Sequence, residues 1–296
     1  MAEKFFHSLF LSTAMTGPFF AWSCSLQQTE PPRVTSSTNV PQQIYLWEDG
    51  NVPTTTVYTE NTSGYFDPPT FRPNMVYFPA TPGVEVKGAV LICPGGAFRF
   101  RSDNEGAPVA ERLSALGYQS FVVNYRLRPY TMQEGALDLA RAVRYVRLHA
   151  EDYRIKEKSI SVMGFSAGGI LCGELLLNFD GTVNGTVIDP TYVPDDLDKV
   201  SADASAVGMI YSFYGRLSVA STDVEKFEAS DLPPAYFLYG TRDPFVSQFE
   251  ACVNALRQAG VPVESHVLQG VPHGFGVGDG QWILEFDEWL MKVLDN

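Results

Sequence analysis

The stretch "SVMGFSAGGI", residues 161–170, sets one serine between small residues directly after an apolar run. The pattern Gly164-x-Ser166-x-Gly168 is short, and a chain with 25 glycines can produce it by accident. Its surroundings carry the information. "SISVM" has the β-branched, apolar character of a buried strand, and "AGGILCGELLL" shows apolar residues at helical spacing. A serine on a tight strand-to-helix turn is held in a strained backbone conformation with its oxygen exposed. Strand and helix then approach closely, so the flanking residues must be small. Gly164, Ala167, Gly168 and Gly169 meet that demand.

The same alternation runs through the chain from residue 75 onward. "MVYF", "AVLIC", "SFVVNY", "SISVM", "AVGMIY", "AYFLYG" and "VESHVL" read as strands. Between them, "APVAERLSAL", "EGALDLARAVRYVRLHA", "AGGILCGELLLNF", "SQFEACVNALRQAG" and "WILEFDEWLMKVL" read as helices. In the second of these, Leu137, Ala140, Val143 and Val146 form one stripe, with Arg141, Arg144 and Arg147 mostly outside it. Near-continuous apolar strands alternating with helices predict an α/β protein with a mainly parallel sheet covered on both faces. "IYLW" and "MVYF" precede any long helix and predict an antiparallel edge. The connection after Asn178, through "DPTYVPDDLDKVSADAS", is long enough to cover a site or simply to lie on the surface.

Of 296 residues, 34 are acidic and 21 basic, giving a net charge of −13. No Lys/Arg run supplies the basic face that nucleic acid requires, and an anionic membrane is disfavoured for the same reason. Residues 1–26 look like a signal peptide: Lys4 precedes apolar clusters, and Ala21-Trp22-Ser23 offers small residues for cleavage. Serines, threonines and His7 interrupt the run, so no membrane span is expected. A secreted or periplasmic location follows, with lipid attachment at Cys24 or a cytoplasmic chain with an N-terminal extension as alternatives. Residues 27–43 read as a polar linker and 44–296 as a single catalytic domain. The cysteines (24, 93, 172, 252) and histidines (7, 149, 266, 273) form no metal-binding pattern, so neither metal nor other cofactor is expected. Cys93 and Cys172 lie in apolar contexts that suit buried free thiols, although export would permit one disulfide.

In a sheet of this kind, reactive groups gather at the carboxyl ends of the strands. Ser166 follows one strand, and its hydroxyl needs a base to accept its proton. His273, in the loop "GVPHGFG" after the last strand, is the candidate. His266 lies inside that strand, and His149 ends a helix, where it would favour the C-terminal dipole. Asp243, in "YGTRDPFV", follows another strand and would orient the imidazole. Asp195, Asp196, Asp198, Asp223 and Asp231 read more readily as loop solvation. "CPGGAFRF" places Gly95 and Gly96 after a buried strand, where their N–H groups, with that of Ala167, would form an oxyanion hole. Phe98 and Arg99 are candidate substrate contacts, as are Phe100 and Arg101, beside the reading of an aromatic pair with solvated arginines.

With these residues in place, the chain resembles the α/β-hydrolase fold. More narrowly, it is similar to the esterase group that contains acetylxylan esterases and feruloyl-esterase-like carbohydrate esterases. The resemblance covers roughly residues 44–294 and rests on "CPGGAF", "NEGAPVAERLSALGY", "VNYRLRP", "DLARAVRYVR", "GFSAGG", "DLDKVSA", "YGTRDPFV" and "PHGFG" in that order. It implies a serine esterase without cofactor that removes short acyl groups, acetate first, from xylan or related carbohydrate. Ser166, Asp243 and His273 match the triad, and Gly95, Gly96 and Ala167 the oxyanion hole. Two features depart from related patterns. Cys93-Pro94 stand ahead of the glycines with Ala97 in place of a third, and "MIYSFYG" is unusually aromatic. Feruloyl esterase, lipase-like carboxylesterase, exopeptidase, arylformamidase and a non-catalytic binding protein are the alternative functions. Oligomeric state is not legible.

Overall fold

The computed structural model describes residues 41–294. The signal-peptide-like segment, Cys24, and the linker up to residue 40 therefore lie outside the described residues. Among the described residues, ten strands occur in chain order: β1 (Gln42–Tyr45), β2 (Asn74–Phe78), β3 (Gly88–Cys93), β4 (Tyr118–Asn124), β5 (Ile160–Phe165), β6 (Val207–Ile210), β7 (Gly215–Arg216), β8 (Val219–Ala220), β9 (Ala235–Gly240) and β10 (Val263–Leu268). Six α-helices accompany them: α1 (Ala107–Ala115), α2 (Met132–Leu148), α3 (Ala167–Asn178), α4 (Val224–Ala229), α5 (Val246–Gln258) and α6 (Gln281–Leu294). Strand β1 takes in Gln42 and Gln43, so the sheet begins two residues earlier than the linker reading placed it. An edge strand keeps one side in water, and its polar residues need no burial.

Eight strands form one sheet in the order β1-β2-β4-β3-β5-β6-β9-β10. The pairs β1–β2 and β2–β4 are antiparallel, and the other pairings are parallel, as the predicted antiparallel start requires. Right-handed crossovers then distribute the helices. The step from β3 back to β4 sends α1 to one face. The forward steps β4–β5, β5–β6 and β9–β10 send α2, α3 and α5 to the other. Helix α6 packs beside α1, and α2 beside α3. All residues of β3, β5, β6 and β9 are buried, which explains their unbroken apolar sequences.

Helix α2 departs from the expected one-sided pattern. Its arginines Arg141 and Arg144 are 3% and 0% exposed. The segment from Phe179 to Ser205 lies across them. Arg141 donates to the Asp195 carboxylate and to the Leu46 carbonyl. Arg144 donates to the carbonyls of Val200, Gly181 and Val183. Asp198, read from sequence as loop solvation, is buried against both arginines and accepts from the Tyr192 hydroxyl at 2.6 Å. The buried guanidinium groups are tolerated because most of their donors meet acceptors and Asp198 balances their charge; Arg144 Nη1 makes no hydrogen bond and faces Asp198 Oδ1 at 3.7 Å. The long connection is thus a fixed layer over α2.

A second buried network ties the N-terminal segment to the same helix. Asp138 is fully buried and accepts from Trp47 Nε1 (2.7 Å), the Arg126 N–H (2.8 Å) and the Arg126 guanidinium (2.9 Å). Cys93, Cys172 and Cys252 are buried free thiols.

Candidate active site

Strand β5 ends at Phe165, and α3 begins at Ala167, which leaves Ser166 alone on the turn. Its backbone sits at φ 49°, ψ −118°, a conformation that L residues avoid unless their surroundings impose it. The surroundings are specific. The Ser166 N–H donates to the Ile210 carbonyl at 3.0 Å, and the Ser166 carbonyl accepts from Ser212 Oγ at 2.6 Å. Gly168 packs so closely on the end of β3 that an added Cβ would lie 1.9 Å from the Cys93 carbonyl oxygen. Only glycine allows helix and strand to meet here.

Register brings the remaining groups to the same end of the sheet. Ile210 pairs with both Phe165 and Leu238 across β5, β6 and β9. Beyond β9 the chain turns, and the Asp243 N–H donates to the Gly240 carbonyl. The Arg242 N–H donates to Val271 O at 3.0 Å, which joins this turn to the loop after β10. Asp243 is buried; one carboxylate oxygen accepts from the Phe245 N–H at 2.9 Å and the other meets His273 Nδ1 at 2.6 Å. His273 Nε2 lies 2.9 Å from Ser166 Oγ. An ionised carboxylate only accepts, so Nδ1 carries the proton and Nε2 is free to take the serine's. The structure brings Ser166, Asp243 and His273 into one hydrogen-bonded chain. His266 is engaged elsewhere, with Glu264, and His149 with Asp152.

The loop after β3 lies against this chain. A Cβ on Gly95 would come within 3.0 Å of Ser166 Cβ and 2.6 Å of the Phe165 carbonyl oxygen. The donor assignment from sequence changes here. The Gly95 N–H is not available to a substrate, because it donates to Glu105 Oε2 at 2.6 Å. Among the described residues, the N–H groups of Gly96 and Ala167 meet no acceptor, so of the three candidates these two stay open to an oxyanion. Gly95 contributes its missing side chain.

Glu105 was not anticipated, nor was its partner Tyr211. Glu105 is buried, and its second carboxylate oxygen accepts from the Tyr211 hydroxyl at 2.6 Å. That hydroxyl oxygen in turn accepts from the Gly276 N–H at 3.1 Å. The Tyr211 ring stands edge-on to His273, with centroids 4.9 Å apart, and Phe245 flanks the imidazole at 5.7 Å. Burial raises the Glu105 pKa, while the bonds from Tyr211 and Gly95 and the nearby His273 pull it back. The network joins the oxyanion loop to the histidine loop through one carboxylate. Its only trace in the sequence is the aromatic run "MIYSFYG" and a glutamate between polar Asn104 and Gly106.

Substrate-contact candidates separate as well. Phe98 lines a cavity, whereas Arg99 is exposed and does not line it. Arg101 is committed to the fold: it forms an ion pair with Asp67 and donates to the Tyr125 carbonyl at 2.8 Å. Among the described residues, no group of His, Cys, Asp and Glu side chains could hold a metal ion. No helix among them is long and apolar enough to cross a membrane.

Comparison with known proteins agrees with this geometry. The family model described as alpha/beta hydrolase fold matches residues 90–277, a span that contains all three members of the chain Ser166–His273–Asp243. The protein belongs to the alpha/beta hydrolase family. A curated relative, endo-1,4-beta-xylanase B of Butyrivibrio fibrisolvens, is 27% identical over 259 residues, covering 79% of this chain and 39% of its own length. Acetylxylan esterase of Xylanibacter ruminicola is 25% identical over 219 residues, covering 69% of this chain and 45% of its own length. This alpha/beta hydrolase therefore spans less than half the length of either relative. Among solved structures, an acetyl ester-xyloside bifunctional hydrolase from Caldicellulosiruptor lactoaceticus superposes with a TM-score of 0.64 at 25% identity. It covers 86% of this chain and 95% of its own.

Proposed function

We propose that the protein is a serine carboxylesterase that removes short acyl groups, acetate first, from carbohydrate esters such as acetylated xylan. The observation that carries this reading is the continuous chain Ser166 Oγ–His273 Nε2 at 2.9 Å and His273 Nδ1–Asp243 at 2.6 Å, set against free Gly96 and Ala167 donors. Ser166 attacks the ester carbonyl while His273 takes its proton, and the oxyanion forms facing the two N–H groups. His273 returns the proton to the departing sugar oxygen. Water, activated by the same imidazole, then releases the acid. Asp243 and the nearby Glu105 carboxylate both favour the transient imidazolium.

The names of the relatives support the substrate class, since an acetylxylan esterase and an acetyl ester-xyloside hydrolase are among them. Export, through residues 1–26, belongs to the same reading, because a polymeric glycan is met outside the cell; fractionating cells that express the full chain tests it.

A panel of p-nitrophenyl acetate, butyrate and octanoate, acetylated xylan and methyl ferulate decides among the esterase readings. Acetate is expected to be cleaved fastest. Ser166→Ala should abolish turnover and labelling by a fluorophosphonate while leaving the folded circular-dichroism spectrum. Retained activity in that variant would sink the mechanism, and a preference for octanoate would sink the acyl-chain assignment.

A further inference from the structure

Phe98 belongs to the loop that lies against Ser166, and it lines a cavity of about 290 Å³ with Arg128, Tyr130, Met132, Arg216 and Leu217. The Arg128 N–H donates to the Phe98 carbonyl at 2.9 Å, so this wall is anchored to the same loop. Arg216 comes from β7, which follows β6 past Tyr211, placed above beside His273, and Ser212, placed at the serine turn.

The two guanidinium groups differ from the arginines that hold the core together. Arg101, Arg126, Arg141 and Arg144 are all tied to carboxylates or carbonyls. Arg128 and Arg216 are exposed, and among the described residues neither side chain has a hydrogen-bond acceptor or a carboxylate within ion-pair distance. The acidic group whose field reaches Arg216 is Glu174, and its carboxylate accepts from Gln133 Nε2 at 3.2 Å. In a chain of net charge −13, two unengaged arginines thus share one cavity with Phe98, a residue of the loop that lies against Ser166. A guanidinium presents its donors in a planar fork that matches a carboxylate. Phe98 and Tyr130 supply the apolar surface that a ligand pocket also needs. Beyond it opens a larger cavity of about 770 Å³ that shares Met132, Gln133 and Arg216, so a ligand held here has room to continue.

We propose that Arg128 and Arg216 bind a carboxylate of the substrate, which makes this an esterase selective for acidic esters. The proposal rests on the serine-esterase reading for its turnover assay. The carboxylate belongs either to the sugar, as a uronic acid branch, or to the acyl group. Two substrate pairs distinguish these sources: acetylated xylo-oligosaccharides with and without a uronic acid branch, and p-nitrophenyl hemisuccinate against p-nitrophenyl propionate.

In one of the two pairs the wild type should show a kcat/KM at least about fivefold higher for the acidic member, falling toward unity in Arg128→Gln/Arg216→Gln and in high salt. Equal values in both pairs, or a preference that survives the double substitution, would overturn the proposal. Wild-type turnover of p-nitrophenyl acetate, measured first, reports on the esterase reading alone. If that fails, calorimetric binding of the deacetylated acidic oligosaccharide against its neutral counterpart still reads the arginines. Tighter binding of the acidic one, lost in the double variant, supports the site, and equal binding rejects it.

Discussion

Glu105 and Tyr211 meet in a 2.6 Å hydrogen bond beside the imidazole of His273. Through it, the loop carrying Gly95 and the loop carrying His273 share one buried carboxylate. Donor loop and base therefore hold a common position relative to Ser166.

Tyr211→Phe tests that coupling. The substitution keeps the ring against His273 but removes a donor to a buried carboxylate and the acceptor of the Gly276 N–H. A loss of about 1.5–3 kcal/mol in unfolding free energy is expected, the range for hydrogen bonds to charged groups. Kcat should fall about tenfold with KM little changed, because the histidine loop loses its support rather than a substrate contact. Denaturant titration and steady-state kinetics on p-nitrophenyl acetate check both numbers.

Glu105 also predicts a pH dependence of stability. Its pKa is raised on folding, chiefly by burial, so the folded protein binds this proton more tightly than the unfolded chain. The associated stability is complete below the unfolded value near 4.5 and is lost as pH rises through the raised folded value. Glu105→Gln removes this titration. The wild type should therefore lose stability relative to the variant on going from pH 4.5 to pH 7, as read by chemical denaturation.

Glu134 predicts the opposite sign. Burial pushes its pKa up, but bonds from Thr54, Thr131 and Thr56 outweigh burial and leave it below the ordinary value. Its contribution is present above the unfolded pKa and disappears as pH falls through the folded one. Glu134→Gln should be less stable than wild type at pH 7, with the gap narrowing below pH 4.5.

Gly95→Ala separates a steric role from a donor role. The new methyl would meet the Phe165 carbonyl, the Glu105 carboxylate and Ser166 Cβ, all within 3.0 Å. Two of these are fixed backbone or nucleophile atoms, so Ser166 or its loop must shift. A shift of this kind at a reacting atom is expected to cost on the order of 10²-fold in kcat. A variant with wild-type kcat would show that the loop yields instead.

Asp138→Ala probes the second buried network. It strands the Arg126 guanidinium, which is 3% exposed, and leaves Trp47 Nε1 without its acceptor. Breaking a buried pair from one side costs about 3–5 kcal/mol. Thermal unfolding of the variant measures it.

What the sequence revealed and what it concealed follow from different physics. Ser166, Asp243 and His273 were legible because each sits where a strand ends, and strand ends are marked by apolar runs stopping at glycine or proline. Gly95 was located correctly but given the wrong task, since no sequence pattern shows that a glutamate ten residues later takes its N–H. Glu105 drew no reading from the sequence, because only tertiary packing buries it. Arg141 and Arg144 broke the helical pattern because periodicity describes one packed face, whereas a second layer from Phe179 to Ser205 buries the other. Tyr211 left a visible sign, the excess of aromatics after β6, whose meaning was a support for the base.

The layer pinned on α2 carries one further consequence. Val183, Val187 and Ile188 within it form part of the wall of the larger cavity, and the arginines beneath leave that wall little freedom to swing. Such a wall has its bound shape before any ligand arrives, so little ordering entropy is lost when one enters. Discrimination among ligands would then resemble a template rejecting misfits at first encounter, with association rates for well-shaped ligands nearly insensitive to viscosity-damped loop motion.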